Sequence, residues 1–236
     1  MEQIGAEYLD GRYLDKNPSL HVEDSPWKAG QILRMLERQN AHPLTVTEVG
    51  CGAGEILVQL SRKLPEATFA GYELSPQAFE LCRTREAARV RYYNTDIADS
   101  PAKERSDVLL CIDVFEHIED YFSFLRRLRD HARFFIFHIP LDMNTQMVAR
   151  AEPLTRVRRE VGHLHYFSKE TALATLQDCG YEILDWFYTP NGADRPKSGR
   201  AKALQIPRKV FFKVAPNLVV RLLGGYSLMV YAAPAQ

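Results

Sequence analysis

The sequence predicts an open α/β fold, a mostly parallel sheet with helices on both faces. Three observations lead there. From Leu44 onward, short runs rich in Val, Ile and aromatics alternate with amphipathic stretches. Several of these runs are apolar on both faces, as strands are when helices cover both sides of a sheet. One run passes directly into three glycines at alternate positions and then into a helical pattern, and strand–helix alternation of this kind closes through right-handed crossovers.

The elements follow in order. The first forty residues hold one helix, with Ser25 as cap, Pro26 at its first position, and Ala29, Ile32, Leu33 and Leu36 as its buried stripe. Strands are expected at Leu44–Val49, Thr68–Leu74, Val90–Tyr93, Val108–Ile112 and Phe134–Ile139. Between them, Leu57, Leu60 and Leu64 share a helix face, as do Phe122, Leu125, Leu128 and Ala132. Ser75-Pro76 reads as a cap followed by proline at the first helical position. Ser168 opens a helix carrying Leu173, Leu176 and Cys179, closed by Gly180. The stretch Pro140–Tyr166 has no strong period and is expected to loop over the sheet's edge. Thr189–Gly225 starts polar and turns basic and apolar, and a last strand covers Ser227–Ala233.

Composition limits the function classes. The 236 residues are 46% hydrophobic, enough for a core, and their 30 basic and 30 acidic side chains cancel. The balance gives no overall case for nucleic acid as partner. No apolar run is long enough to span a bilayer, and the first residues carry no secretory signal. Cys51, Cys82, Cys111 and Cys179 stand far apart and form no metal-binding spacing. These features predict reduced thiols, no metal site and a cytoplasmic setting.

The densest stretch is Glu48-Val49-Gly50-Cys51-Gly52-Ala53-Gly54-Glu55. Glycine belongs where a backbone turns sharply or a ligand comes closer than a Cβ allows. A ligand placed there meets backbone N–H groups and the positive end of a helix, at the carboxyl edge of the sheet. The dinucleotide fingerprint requires a third small residue at position 55, where this chain has Glu. That glutamate also repels a pyrophosphate, which disfavours a nicotinamide-dependent oxidoreductase. A second acid, Glu73, stands 23 residues beyond Gly50 at the end of the next strand, positioned to accept both hydroxyls of a ribose.

The spacing Glu48-x-Gly50-x-Gly52-x-Gly54 resembles motif I of the class I S-adenosylmethionine-dependent methyltransferases. Tyr93-Asn94-Thr95-Asp96-Ile97 is similar to the adenine-holding loop of that superfamily. Asp107 to Ile118, with its Asp113-Val114-Phe115-Glu116-His117 run, resembles the fourth-strand motif of the small-molecule branch, and Gly162–Ser168 is similar to a segment of the same branch. The resemblance covers roughly Thr45–Tyr188 plus the final strand. It implies a Rossmann-like sheet of seven strands, the last antiparallel and inserted beside the fifth. It further implies S-adenosyl-L-methionine as cofactor, held by Glu48, Gly50, Cys51, Gly52, Glu73, Leu74, Asp96, Ile97 and Asp113. Asp96 would accept from the adenine amine and Ile97 would pack on the ring.

Methyl transfer from a sulfonium is an in-line displacement with an activated leaving group, so alignment and exclusion of water are the main requirements. A base is needed only when the acceptor must lose a proton. His117, after the fourth strand, is the candidate, with Asp113 and Glu116 near enough in sequence to orient it or raise its pKa. A cap or loop-fixing role for His117 stands beside that reading. His163 and His165 make a second pair, for which packing is favoured over metal binding. His21, His42, His131 and His138 carry no motif. Trp27, Lys28, Tyr8 and Tyr13 belong to a segment that closes over the cofactor in related enzymes, with Trp27 as a core anchor the alternative.

Together these readings give a single domain. Residues 1–40 form a helical lid, 41–188 the cofactor core, 189–225 an insertion capping the substrate, and 226–236 the last strand. The expected activity is methyl transfer to a small-molecule acceptor at oxygen. A silent adenosyl-binding partner protein and an RNA-modifying enzyme are the alternatives. The latter rests on the seven excess positive charges between Pro190 and Arg221, which also leave membrane-surface contact through 195–223 open.

Overall fold

The computed structural model describes residues 19–20, 22–99, 105–190 and 210–235. Its strands are β1 (Thr45–Val49), β2 (Thr68–Tyr72), β3 (Val90–Tyr93), β4 (Ser106–Ile112), β5 (Ala132–Pro140), β6 (Tyr181–Pro190) and β7 (Tyr226–Pro234). They form one sheet in the order β3-β2-β1-β4-β5-β7-β6. The first five are parallel, and β7 runs antiparallel to both neighbours. The expected seven strands and inserted antiparallel strand are both present.

The sheet's two faces follow from the alternation of side chains along each strand. Val108, Leu110 and Ile112 of β4 point to one face, together with Ile136 of β5 and Met229 and Tyr231 of β7. There they meet helix α1 (Ser25–Arg38) through Ala29, Ile32, Met35 and Leu36, and α2 (Glu55–Ser61) through Ile56, Leu57 and Leu60. Leu109 and Cys111, Phe135 and Phe137, and Leu228 and Val230 point the other way. They are covered by α4 (Tyr121–Leu128), α7 (Lys169–Asp178) and α8 (Pro216–Leu223). Each fully buried leucine of these layers contributes about 1.5–3 kcal/mol, and the two layers fix the carboxyl edge of the sheet.

The caps match the sequence in part. Ser75 opens α3 (Pro76–Arg83) and its hydroxyl accepts from the Ala78 amide. Ser168 opens α7 in a capping box with Thr171. Gly180, at φ +82°, follows the end of α7. Ser25, expected as a cap, is the first residue of α1 itself and is buried, with Asp24 ahead of it. Ala132 does not continue the α4 stripe but opens β5, since α4 ends at Leu128.

The largest departure is at Pro140–Tyr166. In place of a loop the chain forms α5 (Thr145–Arg150), capped by Asn144, and α6 (Glu152–Val161), ended by left-handed Gly162. Neither helix buries more than one residue, and the helical apolar spacing of α6, Leu154, Val157 and Val161, is short and set among charged side chains.

Of the basic insertion, Arg195, Lys197, Arg200, Lys202, Arg208 and Lys209 lie outside the described residues, as do Tyr8, Tyr13 and His21. The part described ends in α8, which starts at Pro216 and turns Val219 and Val220 inward while Leu218 and Leu222 stay exposed. Among the described residues, no helix is long and apolar enough to cross a membrane.

Candidate active site

The glycine turn is built as its sequence requires. Gly50, Gly52 and Gly54 have φ of +63°, +56° and +79°, a region that side chains with a Cβ rarely occupy. Their surroundings differ. A Cβ on Gly50 would lie 2.9 Å from the Val114 side chain, and one on Gly54 would lie 2.6 Å from the Tyr92 ring. Tyr92 donates its hydroxyl to the Gly54 carbonyl at 2.6 Å. A Cβ on Gly52 would meet nothing within 4 Å. Gly50 and Gly54 are therefore packing positions, while Gly52 leaves its backbone open to a ligand.

Glu73 directly follows β2. One of its oxygens accepts from the Gly52 amide at 2.9 Å and the other from the Ser75 amide at 2.8 Å. A carboxylate has about four acceptor positions, and with the Leu74 amide also acting on it Glu73 keeps part of that capacity free. Burial pushes its pKa up against the pull of those amides. Asn94 donates to the carbonyls of Glu73 at 2.7 Å and Leu74 at 3.2 Å, tying the loop after β3 to the loop after β2. Leu74 is exposed beside this junction, while Ile97 is buried. One Asp96 oxygen accepts from the Ala98 amide at 2.9 Å and the other lies 3.8 Å from Arg127.

The remaining predicted residues split in two. The Cys51 side chain turns inward to Cys82, with sulfurs 3.8 Å apart, and its amide donates to the Tyr72 carbonyl. Glu48 is buried with one oxygen unpartnered. Burial raises its pKa to about 8, Lys28 working against the rise and Glu73 adding to it. Glu55, the residue that argued against a pyrophosphate, pairs with Arg85 at 3.1 Å and accepts from Gln59 at 2.6 Å.

At the end of β4 stands a constellation that the sequence did not suggest. Asp113 sits at φ +55°, a conformation uncommon for a residue with a side chain. Its carboxylate accepts from Lys28 of α1 at 2.8 Å and from His138 Nδ1 of β5 at 2.6 Å. The other nitrogen of His138 lies 2.8 Å from the Thr189 hydroxyl of β6, and Trp27 packs edge-on against the His138 ring. Burial would raise the Asp113 pKa, but His138 and Lys28 outweigh it and hold the carboxyl well below its usual range. Burial would likewise lower Lys28, which Asp113 instead leaves raised. The available signal was His138 itself, a polar residue inside the apolar run Phe134–Ile139.

His117 Nδ1 donates to the Gly162 carbonyl at 3.1 Å. Asp113 and Glu116 were expected to orient it or raise its pKa, and a loop-fixing role stood beside that reading. Burial, helped by His163, instead lowers the pKa to about 4, so the ring is neutral at pH 7. His163 and His165 part company. His163 Nδ1 donates to Asp142 at 2.6 Å, and His165 Nε2 lies 2.9 Å from the Ile118 carbonyl.

Known proteins resemble this arrangement. Residues 47–133 match the family model described as a methyltransferase domain. Over 106 residues the chain is 26% identical to a malonyl-[acyl-carrier protein] O-methyltransferase of Bacillus anthracis, a match spanning 44% of this chain and 39% of that protein. The chain thus spans well under half the length of the curated relative it matches. A chain from the complex of the Haloferax volcanii Trm112 methyltransferase activator with a methyltransferase superposes at TM-score 0.66 and 14% identity, covering 99% of this chain and 98% of that one. The N-methyltransferase NodS of Bradyrhizobium japonicum, bound to S-adenosyl-L-homocysteine, superposes at TM-score 0.57 and 16% identity, covering 89% and 86%. At such identities the structural likeness is one of fold. The family match covers residues 47–133, and the sheet order is the one shared with these solved methyltransferases.

Proposed function

We propose that the chain transfers the methyl group of S-adenosyl-L-methionine to an oxygen of a small-molecule acceptor. The observation that carries the cofactor half is Glu73, whose carboxylate holds the Gly52 amide while keeping acceptor capacity beside the one glycine of the turn whose Cβ position is open. A ribose diol fits that capacity, and Asp96 and Ile97 supply a polar edge and an apolar surface for adenine. Oxygen as acceptor atom is supported by the O-methyltransferase among the similar proteins.

In this reading the acceptor oxygen attacks the methyl carbon in line, the carbon–sulfur bond breaks, and S-adenosyl-L-homocysteine leaves. The chain contributes alignment and exclusion of water. Helix α1 acts as a cover, because Lys28 and Trp27 bring it onto Asp113 and His138 at the sheet's edge. His117, neutral at pH 7, is the candidate proton acceptor for a hydroxyl nucleophile.

Calorimetric titration of S-adenosylmethionine, S-adenosylhomocysteine and NADH into the wild type and Glu73→Ala tests the cofactor. Each charge-assisted hydrogen bond contributes about 1.5–3 kcal/mol, so losing two weakens both sulfur ligands by about a hundredfold or more, while NADH does not bind either protein. Preferential NADH binding would overturn the reading. Transfer of labelled methyl to carboxylate or phenol acceptors, and not to amines, tests the acceptor atom.

A further inference from the structure

We infer that Glu116, His117 and His163 form a binding site for a divalent first-row transition-metal cation. Glu116 is fully buried after β4, and neither of its carboxylate oxygens has a hydrogen-bond partner. An isolated carboxylate in that position carries a large desolvation penalty unless something positive meets it. One ligand atom from each of the three residues lies within 4.8 Å of the others, and Glu116 Oε1 is 3.9 Å from His117 Nε2. A tetrahedral cation with bonds of about 2.0–2.2 Å holds its ligand atoms about 3.3–3.6 Å apart, so the Glu116–His117 pair would close by about half an ångström and the widest pair by up to about an ångström or slightly more.

The histidines are set for this task by their other nitrogens. His117 Nδ1 donates to the Gly162 carbonyl, which turns Nε2 toward Glu116. His163 Nδ1 donates to Asp142, leaving Nε2 as the lone-pair nitrogen. Metal-binding histidines are commonly oriented in this way, by a carboxylate or a carbonyl on the ring nitrogen that does not touch the metal. The two rings meet edge-to-face with centroids 4.9 Å apart. Glu116 and the adjacent His117 come from the end of β4, His163 follows Gly162, and the Glu116 carbonyl accepts from the amides of Leu164 and His165 at 2.8 and 3.1 Å. That backbone clamp holds the two segments in register, so the constellation does not depend on side chains alone.

Two imidazoles and one carboxylate leave coordination positions open, the arrangement found where a metal binds an exogenous oxygen. Use of those positions to hold the acceptor rests on the methyl-transfer reading. There a bound hydroxyl would lose its proton to solvent more easily, and His117 would serve as ligand rather than base. The site itself stands on the side-chain geometry.

The test uses the untagged full chain, treated with chelator and titrated with Co(II), then with Zn(II) in competition. Expected is one Co(II) per chain, seen by its visible absorption, and displaced by Zn(II). Glu116→Gln and His163→Gln each abolish the signal. Asp142→Asn weakens Co(II) affinity by about 10–100-fold. S-adenosylhomocysteine affinity stays unchanged in all three variants, which shows that they fold. Absence of stoichiometric Co(II) binding to the wild type, or binding that survives both Glu116→Gln and His163→Gln, overturns the proposal. Co(II) binding by a chain that does not take S-adenosylhomocysteine would instead sink the methyl-transfer reading and leave the cation site standing.

Discussion

The turn after β1 and the cluster after β4 sit at the same edge of the sheet and are built in opposite ways. The first is backbone work. Its three glycines occupy left-handed conformations, its braces are the Glu73 carboxylate and the Tyr92 hydroxyl, and most of its parts lie within one contiguous stretch. The second is side-chain work. Asp113, Lys28, His138 and Thr189 come from four parts of the chain; Glu116 and His117 share the segment of Asp113, and Asp142 and His163 add two more. A backbone site is held by steric limits, whereas a site of buried charges is held by mutual compensation. The two therefore fail differently when a residue is removed.

Three substitutions sharpen that contrast. Gly54→Val joins a forbidden φ to a Cβ 2.6 Å from the Tyr92 ring. It is expected to lower unfolding free energy by about 4 kcal/mol or more, read from the urea midpoint, because both strain and overpacking act at once. A loss under about 1 kcal/mol would mean that the turn is softer than its packing indicates.

Lys28→Met comes next. Removing one partner of a buried ion pair costs about 3–5 kcal/mol, reduced here to about 2 because roughly a fifth to a quarter of each side chain still reaches water. The same substitution in an Asp113→Asn background is expected to cost much less, and a double-mutant cycle measures the difference. Additive losses would show that Lys28 acts through packing alone.

The third effect is a slope. Glu48 titrates at about 8 in the folded chain and near the ordinary carboxylate value when unfolded. Between those pH values the folded state holds the extra proton, so this group's stabilising contribution is full below about pH 4.5 and falls as pH rises toward 8. Glu48→Gln cannot lose that proton. Its stability relative to wild type should therefore improve by about 1 kcal/mol per pH unit from pH 5 to 8 in urea titrations. A pH-independent difference would show that Glu48 is ionised in the fold.

The same contrast explains what the sequence revealed. The cofactor side was legible because its requirements are local: glycines at alternate positions, an acid at a strand's end, and a serine before a proline each carry meaning within a few residues. The carboxyl edge of β4 was legible only as a motif. Glu116 and His117 could be singled out, but their partners could not, since nothing in the spacing of Asp142, Gly162 and His163 states that α5 and α6 fold that segment back. Those helices were missed for a related reason. Leu154, Val157 and Val161 do recur at helical spacing in α6, but the stripe is short and lies among charged residues, and Asn144, Pro153 and Gly162 are the local signals that punctuate the segment. The pKa of His117 was misjudged because neighbouring acids are visible in a sequence, whereas the burial that outweighs them is not.

The grip of Asp113 on two distant elements has a consequence for how such a chain can diversify. Helix α1 enters from the N-terminal side through Lys28, and β6, which leads into the long connection toward α8, enters through Thr189 and His138. Helix α1 and strand β6 are thus moored to a single aspartate. Either can be lengthened, shortened or exchanged without disturbing the glycine turn, provided that its mooring residue is kept. One anchor point would allow both elements to vary while leaving the turn after β1 untouched.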